Sequence, residues 1–117
     1  LIRALGSSPA REARIAIGRL SAHLLVLRHM SRSVAWMLEK GEDAALHATI
    51  VKDLGALFEQ EIPDVARRLV SAEPDDPATQ SFCTVLAYTV ANVPAFSLRG
   101  GTREILRGII ARGLGLR

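Results

Sequence analysis

The residues with the clearest chemical potential lie near the end of the chain, in Arg99-Gly100-Gly101-Thr102-Arg103-Glu104. Two glycines directly before a helix start let the backbone approach a ligand closely and aim free N–H groups at an anion. Thr102 suits an N-cap, and the Glu104 carboxylate falls in the first turn, where it complements the helix dipole. By itself, a Gly-Gly pair before a helix is most often only a turn. The other reactive side chains do not converge. His23 and His29 are six positions apart, so they do not share a helix face and no metal site is expected. Cys83 is the only cysteine; it rules out an internal disulfide and, in its apolar stretch, reads as an inert thiol. Glu59 and Glu61 cannot face each other on a helix, so they make no catalytic carboxylate pair. Trp36 reads as a packing or interface residue.

The elements that must position these groups are helical throughout. A chain of 117 residues is one domain. Its 49% hydrophobic and 23% charged content excludes wholesale disorder. Aromatics are few, and Leu, Ile, Val and Ala suit helices better than strands. After a leader at 1–8, the pattern predicts helices at 9–40, 43–72, 77–91 and 102–112. Ser8 would cap the first, Pro9 fits its first turn and Gly41 stops it. Ile17, Leu20, Leu24, Leu27, Val34 and Leu38 form one apolar face along it. The second helix carries two apolar rows, Ile50-Leu54-Leu57 and Phe58-Ile62-Val65-Leu69, which shift near Pro63. That proline should kink or break the helix. The two long helices make an antiparallel hairpin through Gly41. Glu73 to Pro77 is a turn by composition. The third helix would bury Phe82, Val85, Leu86 and Thr89, and 92–101 reads as a loop ended by Pro94 and the glycine pair. The last helix presents Ile105, Ile109 and Ile110 as its apolar side. The fold class is all-α, an antiparallel helical bundle of two long and two shorter helices in a single domain over 1–117.

Fifteen basic residues are interspersed with 12 acidic ones, for a net charge of +3. This permits an anionic partner without demanding one. Arg99, Arg103, Arg107, Arg112 and Arg117 make a basic tail, but no aromatic stacking platform accompanies them, so no nucleic-acid partner is expected. Pro77 to Leu98 carries no charge. Its Gln80, Asn92, Pro94 and several Ser and Thr favour a buried helix and loop over a membrane span. No charged stretch leading into an apolar one marks a signal peptide, and a cytoplasmic location is expected.

With its surroundings, the glycine pair becomes specific. Ser97 to Leu116 resembles the C-terminus of the acyl-CoA dehydrogenase family, which runs in outline R-G-G-T-x-E-I-x-R-x-I-I-A and closes on L-G-L. Here Leu114 is displaced relative to one common spacing, and Gly115-Leu116 follows as in the family. Gly41-Glu42-Asp43, leading into Ala48 to Leu54 with Lys52, is similar to an earlier stretch of the same domain, so the resemblance covers most of the chain.

The resemblance implies an FAD flavoenzyme that oxidises the α,β bond of an acyl-CoA thioester. A carboxylate removes the α-proton while the flavin accepts the β-hydride. It also implies a helical C-terminal domain that contacts FAD and builds the oligomer, with electron-transfer flavoprotein or another acceptor as redox partner. Gly101, Thr102 and Glu104 match positions that lie against FAD. Many members carry the catalytic glutamate at the position of Gly100; glycine has no carboxylate, so no catalytic residue is assigned. Other members place the base on an earlier helix, and some bacterial members work as paired unlike subunits with one base. A non-catalytic partner subunit or scaffold of the same fold is therefore the alternative. The family's Q-x-x-G-G-x-G motif is replaced here by Ala72 to Asp76. The length leaves no room for the family's first two domains, so this is expected to be an inactive segment of a longer enzyme. Without a further helix against it, the row Ile17, Leu20, Leu24 and Leu27 should be exposed and drive self-association into a homo- or hetero-oligomer, with a two-fold dimer the simplest form.

Overall fold

The computed structural model describes residues 1–70 and 77–116. Four helices follow in order: α1 Arg11–Glu39, α2 Ala45–Leu69, α3 Pro77–Phe96 and α4 Arg103–Gly113. There is no strand among the described residues, and the all-α expectation holds. The expected turn at 73–77 and the Ala72 to Asp76 replacement lie, but for Pro77, outside the described residues.

α1 is long because its 29 residues contain no proline and a single glycine, Gly18. Ala10, not Ser8, occupies its N-cap, and no side chain caps it. Its C-terminus closes in a Schellman arrangement. Glu42 N–H donates to Met37 O at 3.0 Å and Gly41 N–H to Leu38 O at 3.0 Å. Gly41 has φ +73, a conformation that glycine alone adopts without steric cost. α2 then starts beside Asp43, whose carboxylate accepts the Ala45 N–H at 3.0 Å.

The face of α1 that meets α2 keeps Leu20, Leu27 and Val34 of the expected row and replaces its other members by the residue one position earlier. Its less exposed residues are Ala13, Ala16, Leu20, His23, Leu27, Met30, Val34 and Met37, alternating by three and four as in a helix–helix seam. Leu27 is 9% exposed, but Leu24 is 55% and Leu38 62% exposed. The expected exposure of Ile17, Leu20, Leu24 and Leu27 as one row is thus corrected: only Leu24 of the four lies open, and Leu27 is core. The reason is His23. Its ring packs on Phe58 with centroids 4.7 Å apart, and its Nδ1 lies 3.4 Å from Glu61 Oε2. A histidine satisfied in this way turns inward and rotates Leu24 outward.

α2 is the hub. α1, α3 and α4 each pack on it, and among the described residues none of those three packs on another. Small residues at the contacts, Ala56 and Ala66, are nearly fully buried, with Phe58 and Val65 beside them. Pro63 sits buried inside a continuous α2 and does not split it. A proline removes one ladder bond, and the packing of three helices on α2 compensates for a loss of that size.

α3 extends past its expected end at 91 and takes in Asn92 and Pro94. Pro94 removes only the bond to Val90 O, close to the helix end, where little ladder remains to lose. Asn92 turns its amide back onto Tyr88 O at 2.8 Å, and the Ser97 hydroxyl donates to Pro94 O at 2.8 Å. Thr84 and Thr89 likewise donate to the carbonyls of Gln80 and Val85, so several polar side chains of this uncharged helix are satisfied on its own backbone. Val85, expected inside, faces outward together with Tyr88; Phe82, Leu86 and Thr89 are half-buried as expected.

Leu27→Ala is expected to destabilise the domain by about 3 kcal/mol in urea denaturation, whereas Leu24→Ser should change it by less than about 0.5 kcal/mol. The reverse ranking would put the core back on the Leu24 row.

Candidate functional site

The glycine turn is built where α3 ends and α4 begins, against the middle of α2. The close of α3 brings Phe96 under the Arg99 guanidinium, with Cζ 4.9 Å from the ring centroid. Arg99 Nη2 also lies 3.5 Å from Glu59 Oε2 on α2. Gly100 and Gly101 then take φ +74 and +106, so a β-carbon at either would be strained. A β-carbon on Gly100 would stand 3.3 Å from Lys52 Cε. The turn therefore lies on the aliphatic stem of Lys52.

α4 is fixed at both ends. At its start, Arg103 Nε donates to Asp53 Oδ1 at 2.8 Å, and Asp53 is only 8% exposed. Leu106 is buried one turn later. At its other end a β-carbon on Gly113 would come within 2.8 Å of Leu46 Cδ1, so α4 runs antiparallel along α2 from Asp53 to Leu46. Gly115 at φ +73 closes it, with Leu116 N–H donating to Ala111 O at 2.9 Å. Its buried side is Leu106 with half-buried Ile109 and Ile110; Ile105, expected on that side, is exposed.

Gly101, Thr102 and Glu104 are brought together in this one turn, with Gly100 beside them. Thr102 holds the N-cap position in extended conformation, but its hydroxyl does not cap the helix amides. It acts on Glu104 instead. The Glu104 carboxyl is held below the usual glutamate value, first by its own backbone N–H, next by the Thr102 hydroxyl, and then by the positive charges of Arg103 and Arg107. The first intrahelical bond is Leu106 N–H to Thr102 O at 3.0 Å, so the amides of Arg103 and Ile105 lie ahead of the ladder. Arg103 is held protonated even more firmly than an ordinary arginine, chiefly by its hydrogen bond to Asp53.

The remaining candidate side chains go elsewhere. His23 and Glu61 face each other between α1 and α2, while Glu59 pairs with Arg99. His29 and His47 are exposed and Cys83 is half-buried. Trp36 is exposed under Lys40, whose Nζ lies 3.7 Å from the ring centroid. No cluster of three or more His, Cys, Asp or Glu among the described residues could hold a metal ion. Among the described residues no helix is long and apolar enough to cross a membrane.

Sequence reasoning missed the partnership of Asp53 and Arg103. Arg103 reads as one of five arginines in a basic tail, and Asp53 as an incidental charge in a helix. The available signal is that Asp53 lies in the otherwise largely apolar run Ile50 to Phe58, where an unpaired carboxylate would be costly.

A lowered carboxyl pKa contributes stability above the unfolded value, and that contribution is lost as pH falls through the folded value. Carboxyl NMR titration should place Glu104 below the ordinary glutamate range, and Thr102→Val should move it upward. An ordinary Glu104 value unchanged by Thr102→Val would contradict this local network.

No curated protein and no solved structure gives a significant match to the chain. A family model does match, that of the acyl-CoA dehydrogenase C-terminal domain, over residues 3–115. It spans all four helices and the whole glycine turn. The helical architecture and this match agree, and the chain belongs to the acyl-CoA dehydrogenase C-terminal domain family.

Proposed function

We propose that this domain supplies FAD contacts and oligomer-forming surface to an acyl-CoA dehydrogenase that oxidises the α,β bond of acyl-CoA thioesters. The observation that carries the FAD contact is the Gly100-Gly101 turn, held at positive φ on α2 with α4 opening directly from it. Bare glycine backbone and the leading amides of α4 fit a cofactor with many acceptor atoms. Glu104, kept ionised, accepts hydrogen bonds and repels phosphate. It therefore suits the hydroxyl or amino donors of the FAD sugar or base rather than its pyrophosphate. When bound, FAD supplies the hydride acceptor. The chain's own part is to bind and orient.

Gly100 has no side chain to serve as a general base, and Glu104, its pKa lowered, is a weak one. The nearest carboxylates on α2, Asp53 and Glu59, are engaged by Arg103 and Arg99. The domain alone is therefore inactive in this reading, and the base comes from elsewhere in the enzyme or from an unlike partner subunit. Gly100 equally supports the second reading, a non-catalytic subunit of the same fold. Electron-transfer flavoprotein or another acceptor and a cytoplasmic location complete the proposal.

Exposed surface supports the oligomer. The chain exposes 8375 Å², whereas a compact monomer of this mass would expose about 6,200 Å². Leu24, Leu25, Val26, Trp36 and Leu38 lie open along α1, which is more apolar surface than a lone domain leaves in water.

In the intact protein, Thr102→Val should weaken FAD binding by about fivefold, the loss of one hydrogen bond, read from flavin retained after gel filtration. Adding acyl-CoA should then bleach the bound flavin. Unchanged FAD retention in Thr102→Val and Glu104→Ala together would contradict the contact, and flavin that never bleaches would favour the non-catalytic subunit.

A further inference from the structure

Two ion pairs strap the glycine turn to α2, and they are unequal. Arg99–Glu59 has its partners 61% and 47% exposed at 3.5 Å, where water and salt leave little net interaction. Arg103–Asp53 is shorter, at 2.8 Å, with side chains only 23% and 12% exposed. Arg103 directly follows Thr102 and directly precedes Glu104. Anchoring its side chain to α2 therefore fixes the backbone of both neighbours. The bond is made by Nε, a donor that lysine lacks, and it uses one direction of a rigid planar group. α4 has no other helix to lean on among the described residues, because its packing is on α2 alone.

We infer that Asp53 and Arg103 are the positioning pair that holds Gly101, Thr102 and Glu104 in their cofactor-contacting arrangement before the cofactor arrives. The inference rests on the reading of those three residues as FAD contacts. Neither Asp53 nor the Arg103 side chain is asked to touch the cofactor. The pair transfers the cost of ordering the turn from binding to folding, which is how preorganisation raises affinity. Lys52 cannot substitute for Arg103, because successive helix residues point apart and its stem is occupied beneath Gly100.

The test titrates FAD into the intact apoprotein, well below its melting temperature, for Asp53→Asn, Asp53→Glu, Arg103→Lys, Glu59→Gln and Gly101→Val. Asp53→Asn and Arg103→Lys should each weaken FAD binding about tenfold, as loosened supporting groups do. Asp53→Glu, which keeps the carboxylate, should recover most of that loss, and Glu59→Gln should change affinity less than about twofold. A purely structural pair would lower the melting temperature and leave FAD affinity alone. Parental affinity in Asp53→Asn and Arg103→Lys, with Gly101→Val losing FAD, would overturn the positioning role and leave the contacts standing. Parental affinity in Gly101→Val as well would overturn both. Should Asp53→Asn fail to fold, Arg103→Lys decides the matter, since it keeps the charge and replaces the planar guanidinium, with its Nε donor, by an ammonium.

Discussion

Everything that distinguishes this domain depends on one helix having to be the floor for three others. α2 carries α1 along one side and α3 and α4 on the rest, and those three do not support one another among the described residues. A helix used in this way needs apolar or small residues wherever a neighbour packs. α2 provides small buried alanines at close contacts and Phe58 and Val65 beside them, and keeps charges such as Glu59, Glu61, Arg67 and Arg68 exposed. Among the described residues the one buried charge is Asp53, a carboxylate on the floor itself. A buried carboxylate persists only with a partner, and here the partner arrives from α4, fifty residues along the chain. The requirement to satisfy Asp53 fixes where α4 begins, and hence where the glycine turn lies.

The turn in turn sets what the domain can offer. Two glycines at positive φ give uncovered backbone, α4 gives leading amides, and Glu104 gives an acceptor that remains ionised. Glu104, its pKa lowered, is only a weak base. In the proposed function the site therefore holds a polar cofactor in one orientation, and proton removal falls to another part of the enzyme or to another subunit. The same openness that leaves the turn accessible leaves several large apolar side chains of α1 uncovered, so the proposed cofactor contact and assembly fit one account.

Much of this was legible in the chain because it is local. Gly41 announces a helix end that glycine closes most readily, and the Gly-Gly-Thr-x-Glu order announces the turn and the family. What was not legible depended on the partners that polar side chains find, two of the three cases involving partners distant in sequence. The seam of α1 includes His23, which hydrophobic spacing counts as polar and which sits half-buried against Phe58 and Glu61. α3 runs through Asn92 and Pro94, two residues that read as breakers, because side-chain bonds to the backbone and a nearby helix end make the interruption cheap. Arg103 looks like solvated surface until Asp53 is placed beside it. For α1 and α4 periodicity located the helix and a long-range polar contact bears on how it sits, whereas α3 is extended by local side-chain bonds to its own backbone.

The central claim is that the Asp53–Arg103 pair docks α4 on α2. A double-mutant cycle on this chain, with Asp53→Asn, Arg103→Met and both together followed by urea denaturation, tests it most directly. The account predicts strong non-additivity for this pair, with the second substitution adding little once the first is made, and near-additivity for the parallel cycle on Glu59 and Arg99. Additive effects at Asp53 and Arg103, equal to those of the exposed pair, would contradict it.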